Sequence, residues 1–146
     1  MRFTVRWRRS LWWVIGIKNM PAWTTDELNK IGKAEELQIA SFRKDGSLRS
    51  MRIIWVVRVG DDLYVRSVNG RTSDWFKGVQ TQYAGHIRAG GVVRDVIFVE
   101  VTDENINAQI DAAYAEKYRR YPSIIPRIND PKARAAGIKL VPRKIG

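Results

Sequence analysis

The feature that most constrains this chain is the run IIWVVRVGDDLYVRSV, residues 53–68. Two segments rich in β-branched and aromatic residues, Ile53–Val59 and Leu63–Val68, flank Gly60-Asp61-Asp62, so the pair reads as a β-hairpin. The first strand begins near Leu48. Alternation places Ile53, Trp55 and Val57 on one face and Arg52, Ile54, Val56 and Arg58 on the other. Both faces are apolar at the centre, as in a barrel or a sheet covered on two sides. The second strand runs into Asn69-Gly70, a dipeptide tolerant of positive φ. Thr72 or Ser73 then caps a helix beginning Asp74-Trp75-Phe76-Lys77. Unpaired N–H groups converge at such a junction. With arginines at 49, 52, 58, 66 and 71 along the same stretch, an anion site is expected there.

The flanking chain completes a small antiparallel barrel. Thr24 and Glu27 form a capping box, and Trp23 and Leu28 a hydrophobic staple, so a helix runs to about Glu36. Leu37–Arg43 loses helical periodicity and reads as a strand that turns at Lys44-Asp45-Gly46. After a helix over Trp75–Tyr83 come strands at His86–Ala89 and Val92–Val101. Ile53, Trp55, Val57 and Ile97 are expected to be largely buried. Ile106, Ile110, Ala113, Tyr114 and Tyr118 share one helical stripe that packs on the barrel and ends at Tyr121-Pro122. A short helix near Pro131–Ala136 and a sixth strand at Ile138–Val141 follow. The division is a basic extension, residues 1–22, and a single domain, residues 23–146.

A chain of 146 residues without cysteine can bury a real core unaided. Thiol catalysis, cysteine–zinc sites and disulfides are excluded; a cytoplasmic protein is expected, which fits that absence without following from it. The net charge of +11 is uneven. Residues 1–22 contribute +5 and residues 40–94 contribute +6, whereas 23–39 are acidic and 95–146 add only +2. An anionic partner belongs to the first two regions. Leu11–Ile17 follows Arg8-Arg9 but spans only seven residues, too few to cross a membrane.

Side-chain chemistry is sparse. His86 is the sole histidine and has no nucleophile motif beside it, so it is read as structural. No spacing suits zinc, calcium, a Walker loop or a dinucleotide fingerprint. No catalytic side chain and no metal ligand are assigned. Two functions suit a basic, aromatic-bearing hairpin region. One is an enzyme whose cofactor carries the chemistry, while the protein supplies phosphate grips and an apolar slot. The other is nucleic-acid binding, with arginines on phosphates and Trp55, Tyr64 or Trp75 stacked on bases.

From Trp23 to Pro142 the sequence resembles a bacterial family catalogued as domain of unknown function 2255. The stretches AEELQIASFRKDG, IIWVVRVGDDLYVRSVNGR, GHIRAGGVVRDVIFV and IDAAYAEKYRRY carry the likeness. More distantly, Ser41–Gly46 through Arg49, then Tyr64–Ser67 and Trp75, is similar to the flavin- and deazaflavin-binding split-barrel group. That group includes pyridoxamine-phosphate oxidases and deazaflavin-dependent nitroreductases. The resemblance implies that Arg43, Lys44 and Arg49 hold cofactor phosphate, with Arg66 and Ser67 bordering the ring. Phe42 and Asp45 stand where that group has glycine and serine, and its glycine-rich loop is shortened here to Asn69-Gly70-Arg71.

The expected fold is thus α+β, a six-stranded antiparallel split β-barrel with a leading helix and a C-terminal helical cover. The expected function is a flavin- or deazaflavin-dependent oxidoreductase that transfers hydride to a small organic acceptor. FMN or a deazaflavin coenzyme would be held by Arg43, Lys44, Arg49, Trp55, Arg66, Ser67, Asn69, Gly70, Arg71 and Trp75. Pairing of two barrels as a homodimer is a further expectation. The alternative is a cofactor-free barrel that binds nucleic acid or a protein.

Overall fold

The computed structural model describes residues 22–143. The expected extension, residues 1–22, therefore lies outside the described residues except for Ala22. The helices are α1 (Thr25–Lys33), α2 (Asp74–Gln82), α3 (Glu104–Lys117), α4 (Ile125–Ile128) and α5 (Pro131–Arg134). The strands are β1 (Leu37–Ser41), β2 (Arg52–Ile54), β3 (Val56–Val59), β4 (Asp62–Arg66), β5 (Ala84–Ala89), β6 (Val92–Glu100) and β7 (Gly137–Pro142). A 3-10 turn, Gly70–Thr72, joins β4 to α2.

Every ladder is antiparallel, and the order across the sheet is β2-β1-β5-β6-β7-β4-β3. The two edge strands, β2 and β3, are consecutive in the chain, with Trp55 alone between them. The sheet therefore curls until its edges meet at one residue, which makes it a split β-barrel. The sequence predicts six strands with one long strand through this region; the structure has seven because Trp55 breaks it. Each half answers to a different neighbour: Arg52–Ile54 pairs with β1, Val56–Val59 with β4. The backbone groups at the break are taken up by α3. Tyr114 Oη donates to the Trp55 carbonyl at 3.1 Å, and Lys117 Nζ donates to the Val56 carbonyl at 2.6 Å. Tyr118 Oη accepts from Val56 N at 3.3 Å and donates to the Glu35 carbonyl at 2.8 Å. Positions i, i+3 and i+4 of one helical stripe thus satisfy polar groups that the ladder leaves open.

The barrel interior holds Leu37, Ile39, Val56, Leu63, Val65, Ile87, Val96, Phe98, Ile138 and Leu140, closed by Leu28 and Ile31 of α1 and Phe76 and Val79 of α2. The capping box at Thr24 forms as expected, and Trp23 and Leu28 enter the same core. Trp23 also donates its indole N–H to the Leu140 carbonyl at 2.9 Å. A second cluster lies outside the barrel, where Val57 and Tyr64, directly paired, pack under Ile110 and Tyr114 of α3 and its C-cap residue Tyr118. This explains why both faces of the hairpin are apolar. Two burial expectations fail. Ile97 is 41% exposed because Val96 and Phe98 take the inward positions of β6, and alternation turns Ile97 outward. Ile53 is 60% exposed because β2 is an edge strand paired only with β1. Val57 is buried, and Trp55 is partly buried.

Candidate functional site: a two-part cavity in the barrel cleft

The turn after β1 builds the first part. Phe42 bridges Leu48, Arg43 N donates to the Ser47 carbonyl at 2.7 Å, and Arg49 N returns to the Ser41 carbonyl at 3.0 Å. The Asp45 carboxylate accepts from Ser47 N and Oγ, which holds its pKa below the usual carboxylate range and fastens the turn. The doubled-back chain brings Arg43 and Arg49 to one place. With Ser41, Ser50, Arg52, Asp74 and Trp75 they line a cavity of about 190 Å³. Arg43 is half-committed, since one terminal nitrogen donates to the Leu48 carbonyl at 2.9 Å. Arg49 is not: its guanidinium has no partner among the described residues, and its Nε is buried and unbonded. Gly78 of α2 makes room for it. A Cβ there would stand 2.9 Å from Arg49 Cδ and 2.7 Å from Ser41 Oγ.

The second part is a cavity of about 500 Å³, within the range usual for small-molecule sites. It lies in the split between β2 and the end of β4. Its walls are β2 and Trp55, the segment Arg66–Asn69, Ser73 and Trp75 at the start of α2, and Ile124, Arg127 and Ile128 around α4. Among the described residues no aspartate or glutamate lines it. The Trp55 ring is fixed by stacking on Tyr118, with centroids 3.8 Å apart and planes within 4°. Ser67 Oγ and Ser73 Oγ lie 2.7 Å apart, and Ser73 also caps α2 by accepting from Phe76 N. Two hydroxyls that share one hydrogen bond keep one hydrogen to donate elsewhere. Arg52 and Trp75 line both parts, so the two cavities adjoin.

The structure gathers seven of the ten expected site residues here: Arg43, Arg49 and Trp75 in the smaller part, Trp55, Arg66, Ser67, Asn69 and again Trp75 in the larger. Their states differ. Arg66 is fully buried, and its two terminal nitrogens donate to Asp111 at 2.6 Å, Asn129 Oδ1 at 3.0 Å, Asn107 Oδ1 at 3.0 Å and the Asn107 and Ile128 carbonyls. It is a strut between β4, α3 and α4. The Ser67 N–H is likewise engaged, by the Ala136 carbonyl at 3.1 Å. Lys44, Gly70 and Arg71 are not brought in. Lys44 borders a separate hollow with Gln82 and Arg143. Gly70 takes φ +83 in the 3-10 turn, against the Lys132 side chain. Arg71 pairs with Glu100 at 2.7 Å and donates to the Ala135 carbonyl, and this pairing holds the Glu100 pKa down. The expected ring of arginines around Asn69-Gly70 is therefore dispersed: Arg58 is also tied, to Asn29 at 2.8 Å and to Gly60.

Arg52 and Arg127 complete the cavity walls and were absent from the expected set. Arg52 is signalled by its place in the basic hairpin; Arg127 has no sequence signal, because α4 reaches the cleft only through the long connector after α3. His86 pairs with Asp95 at 2.7 Å across the β5–β6 ladder, which suits its structural reading. Among the described residues no cluster suits a metal ion, and no helix is long and apolar enough to cross a membrane.

Fold and site together define an antiparallel split barrel with a two-part cavity in its cleft. The chain belongs to the family described as "Uncharacterized protein conserved in bacteria (DUF2255)", whose sequence model matches residues 27–140. Comparison with curated proteins finds no match. Among solved structures the fold is similar to the conserved hypothetical protein Rv2991 of Mycobacterium tuberculosis, with TM-score 0.60 and 9% identity over 86% of this chain and 84% of that one. It is also similar to the heme storage protein HutZ of Vibrio cholerae, with TM-score 0.58 and 14% identity over 83% of this chain and 91% of that one. An FAD-binding protein of Mesorhizobium loti aligns with TM-score 0.53 and 15% identity over 86% of this chain and 94% of that one.

Proposed function

We propose that this protein is a flavin- or deazaflavin-dependent oxidoreductase that reduces a small organic acceptor. The observation that carries the reading is the adjacency of the two cavities: a small one with three arginines, and a larger one with a fixed tryptophan wall, joined at Arg52 and Trp75. The residues fit such a cofactor. Arg66, Arg94 and Arg134 share with Arg49 a buried, unbonded Nε but have their terminal nitrogens paired, whereas the whole Arg49 guanidinium is without a partner among the described residues and is open to a ligand. The start of the nine-residue α2, at Asp74–Trp75, adds N–H groups and the favourable end of a helix dipole. The FAD-binding neighbour has the same fold, which is compatible with the reading.

In this function Arg43, Arg49 and Arg52 hold the phosphate through charge-assisted hydrogen bonds. Trp55 and Trp75 would border the planar ring, and the Ser67–Ser73 pair would offer it a hydroxyl hydrogen. Bound in that slot, the reduced cofactor supplies two electrons and a hydrogen nucleus as hydride. The chain contributes positioning, and the ring and acceptor share a cavity without acidic walls, which favours a negatively charged occupant.

Titration of the purified protein with FMN and with a deazaflavin coenzyme, followed by absorbance and tryptophan quenching, tests this. Each charge-assisted contact is worth roughly 1.5–3 kcal/mol, so Arg49→Glu is expected to weaken binding by about tenfold to a hundredfold. Binding of neither cofactor below millimolar, together with DNA affinity that falls with a slope near −0.9 per neutralised phosphate, would instead establish the nucleic-acid reading.

A further inference from the structure

Eight of the thirteen arginines among the described residues, Arg43, Arg58, Arg66, Arg71, Arg94, Arg119, Arg120 and Arg134, donate to protein acceptors. Arg49, Arg52, Arg88, Arg127 and Arg143 have no side-chain partner among the described residues. Three of these five, Arg49, Arg52 and Arg127, line the two adjoining cavities. Their positions are not equivalent. Arg49 belongs to the smaller cavity and Arg52 to both, whereas Arg127 lines only the larger one, on the α4 wall with Ile124 and Ile128. A phosphate held by Arg43, Arg49 and Arg52 leaves Arg127 without an anion.

Arg127 is exposed, and no ion pair among the described residues ties it down. Among the described residues no carboxylate lines the larger cavity, and one aspartate, Asp74, lines the smaller part. The polar groups behind this wall are committed to one another. Asp111 is taken by Arg66, and the Asn129 side chain lies between Arg66 and the Asp111 carbonyl. Arg127 therefore presents a planar, permanently charged fork beside apolar Ile124, Ile128 and Trp55, a setting in which a bidentate partner is favoured and an amide is not.

We propose that the acceptor at this site is an organic acid whose reducible group, distinct from its carboxylate, takes hydride from the reduced cofactor and a proton from water, and that Arg127 selects it by pairing with the carboxylate. This rests on the reading of the larger cavity as the place where ring and acceptor meet. It adds the substrate class: an organic acid with a flat apolar body for Trp55 and Ile124 and a carboxylate for Arg127. Neutral analogues of the same shape leave the guanidinium unpaired and bind worse for that reason.

The experiment uses the full-length protein and two isosteric probes, 4-nitrobenzoate and 4-nitrobenzamide, titrated calorimetrically with and without saturating FMN. The wild type is expected to prefer the acid by at least about tenfold. Arg127→Gln is expected to reduce that preference to about one, and Arg127→Lys to restore part of it. Because Arg127 is exposed and makes no side-chain contact that holds the fold, a thermal melt of each variant close to that of the wild type is expected, and it verifies that discrimination is read on folded protein. Equal binding of acid and amide to the wild type would overturn the proposal. So would loss of discrimination in Arg49→Gln but not in Arg127→Gln, which would put the carboxylate in the phosphate cavity. FMN affinity is read in the same titrations. Absence of FMN binding with acid selectivity intact would count against the cofactor reading, not against Arg127 as the anion selector.

Discussion

Arginines of identical chemistry do opposite work in this protein, and what separates them is the supply of acceptors. Both terminal nitrogens of Arg66 are taken, by Asp111, Asn107 and Asn129. Removing Arg66 leaves the buried Asn107 side chain and the Asn107 and Ile128 carbonyls without their donor, while Asp111, about a third exposed, keeps Arg134 at 3.2 Å, so Arg66→Met is expected to lower stability by about 1–3 kcal/mol in chemical denaturation. An unchanged midpoint would mean that Arg66 does not brace α3 and α4. Arg49 has no such partners, and its seat depends on Gly78. Gly78→Ala adds helix propensity of about 0.8–1 kcal/mol in α2 while forcing Arg49 Cδ to move. Cofactor affinity is therefore expected to fall at least about tenfold while the melting temperature shifts by only a few degrees. The sequence could not separate these arginines. It shows basic residues clustered around a hairpin, but the acceptors that claim Arg66 come from α3 and the connector after it, and those that claim Arg71 come from β6 and the segment before β7.

At the level of elements, the capping box of α1, the β3–β4 hairpin and the stripe of α3 were legible because each depends on short spacings and local turn chemistry. The break at Trp55 was not legible. It depends on β1 and β4 drawing the two halves of one strand apart, and on Tyr114, Lys117 and Tyr118 receiving the freed backbone groups. This arrangement has a pH signature. Burial pushes the Lys117 ammonium down to about 8 from its ordinary 10.5. Between those values the unfolded chain binds more protons than the folded one, so stability rises with pH. The contribution is complete above 10.5 and is lost as pH falls through about 8. Burial raises the Tyr114 and Tyr118 pKa values, an effect that acts in the opposite sense above their ordinary value of 10. Denaturation compared between pH 8 and 10 is thus expected to show wild-type stability rising relative to Lys117→Met. Parallel curves would show that Lys117 does not titrate in that window.

For the whole molecule, closure of the sheet is what makes a site. Because β2 and β3 are the two edges and meet at Trp55, the barrel splits there, and the split is walled by residues from β2, the end of β4, the start of α2, and α4. Barrel class was readable from alternation and turns. The cleft was only half readable, because its near wall is local in sequence and its far wall, Ile124–Ile128, arrives from beyond α3. The central claim is that the arginine-lined and tryptophan-walled cavities act as one chamber with a phosphate end and a ring end. Two-dimensional nitrogen–proton NMR of the six tryptophan indoles tests it most directly, with inorganic phosphate and then FMN as titrants. Phosphate is predicted to shift the Trp75 indole and the amides of Ser41, Arg49 and Ser50 while leaving Trp55 in place; FMN is predicted to shift both Trp55 and Trp75. Shifts spread over the basic surface with Trp55 and Trp75 unmoved by FMN would contradict the account.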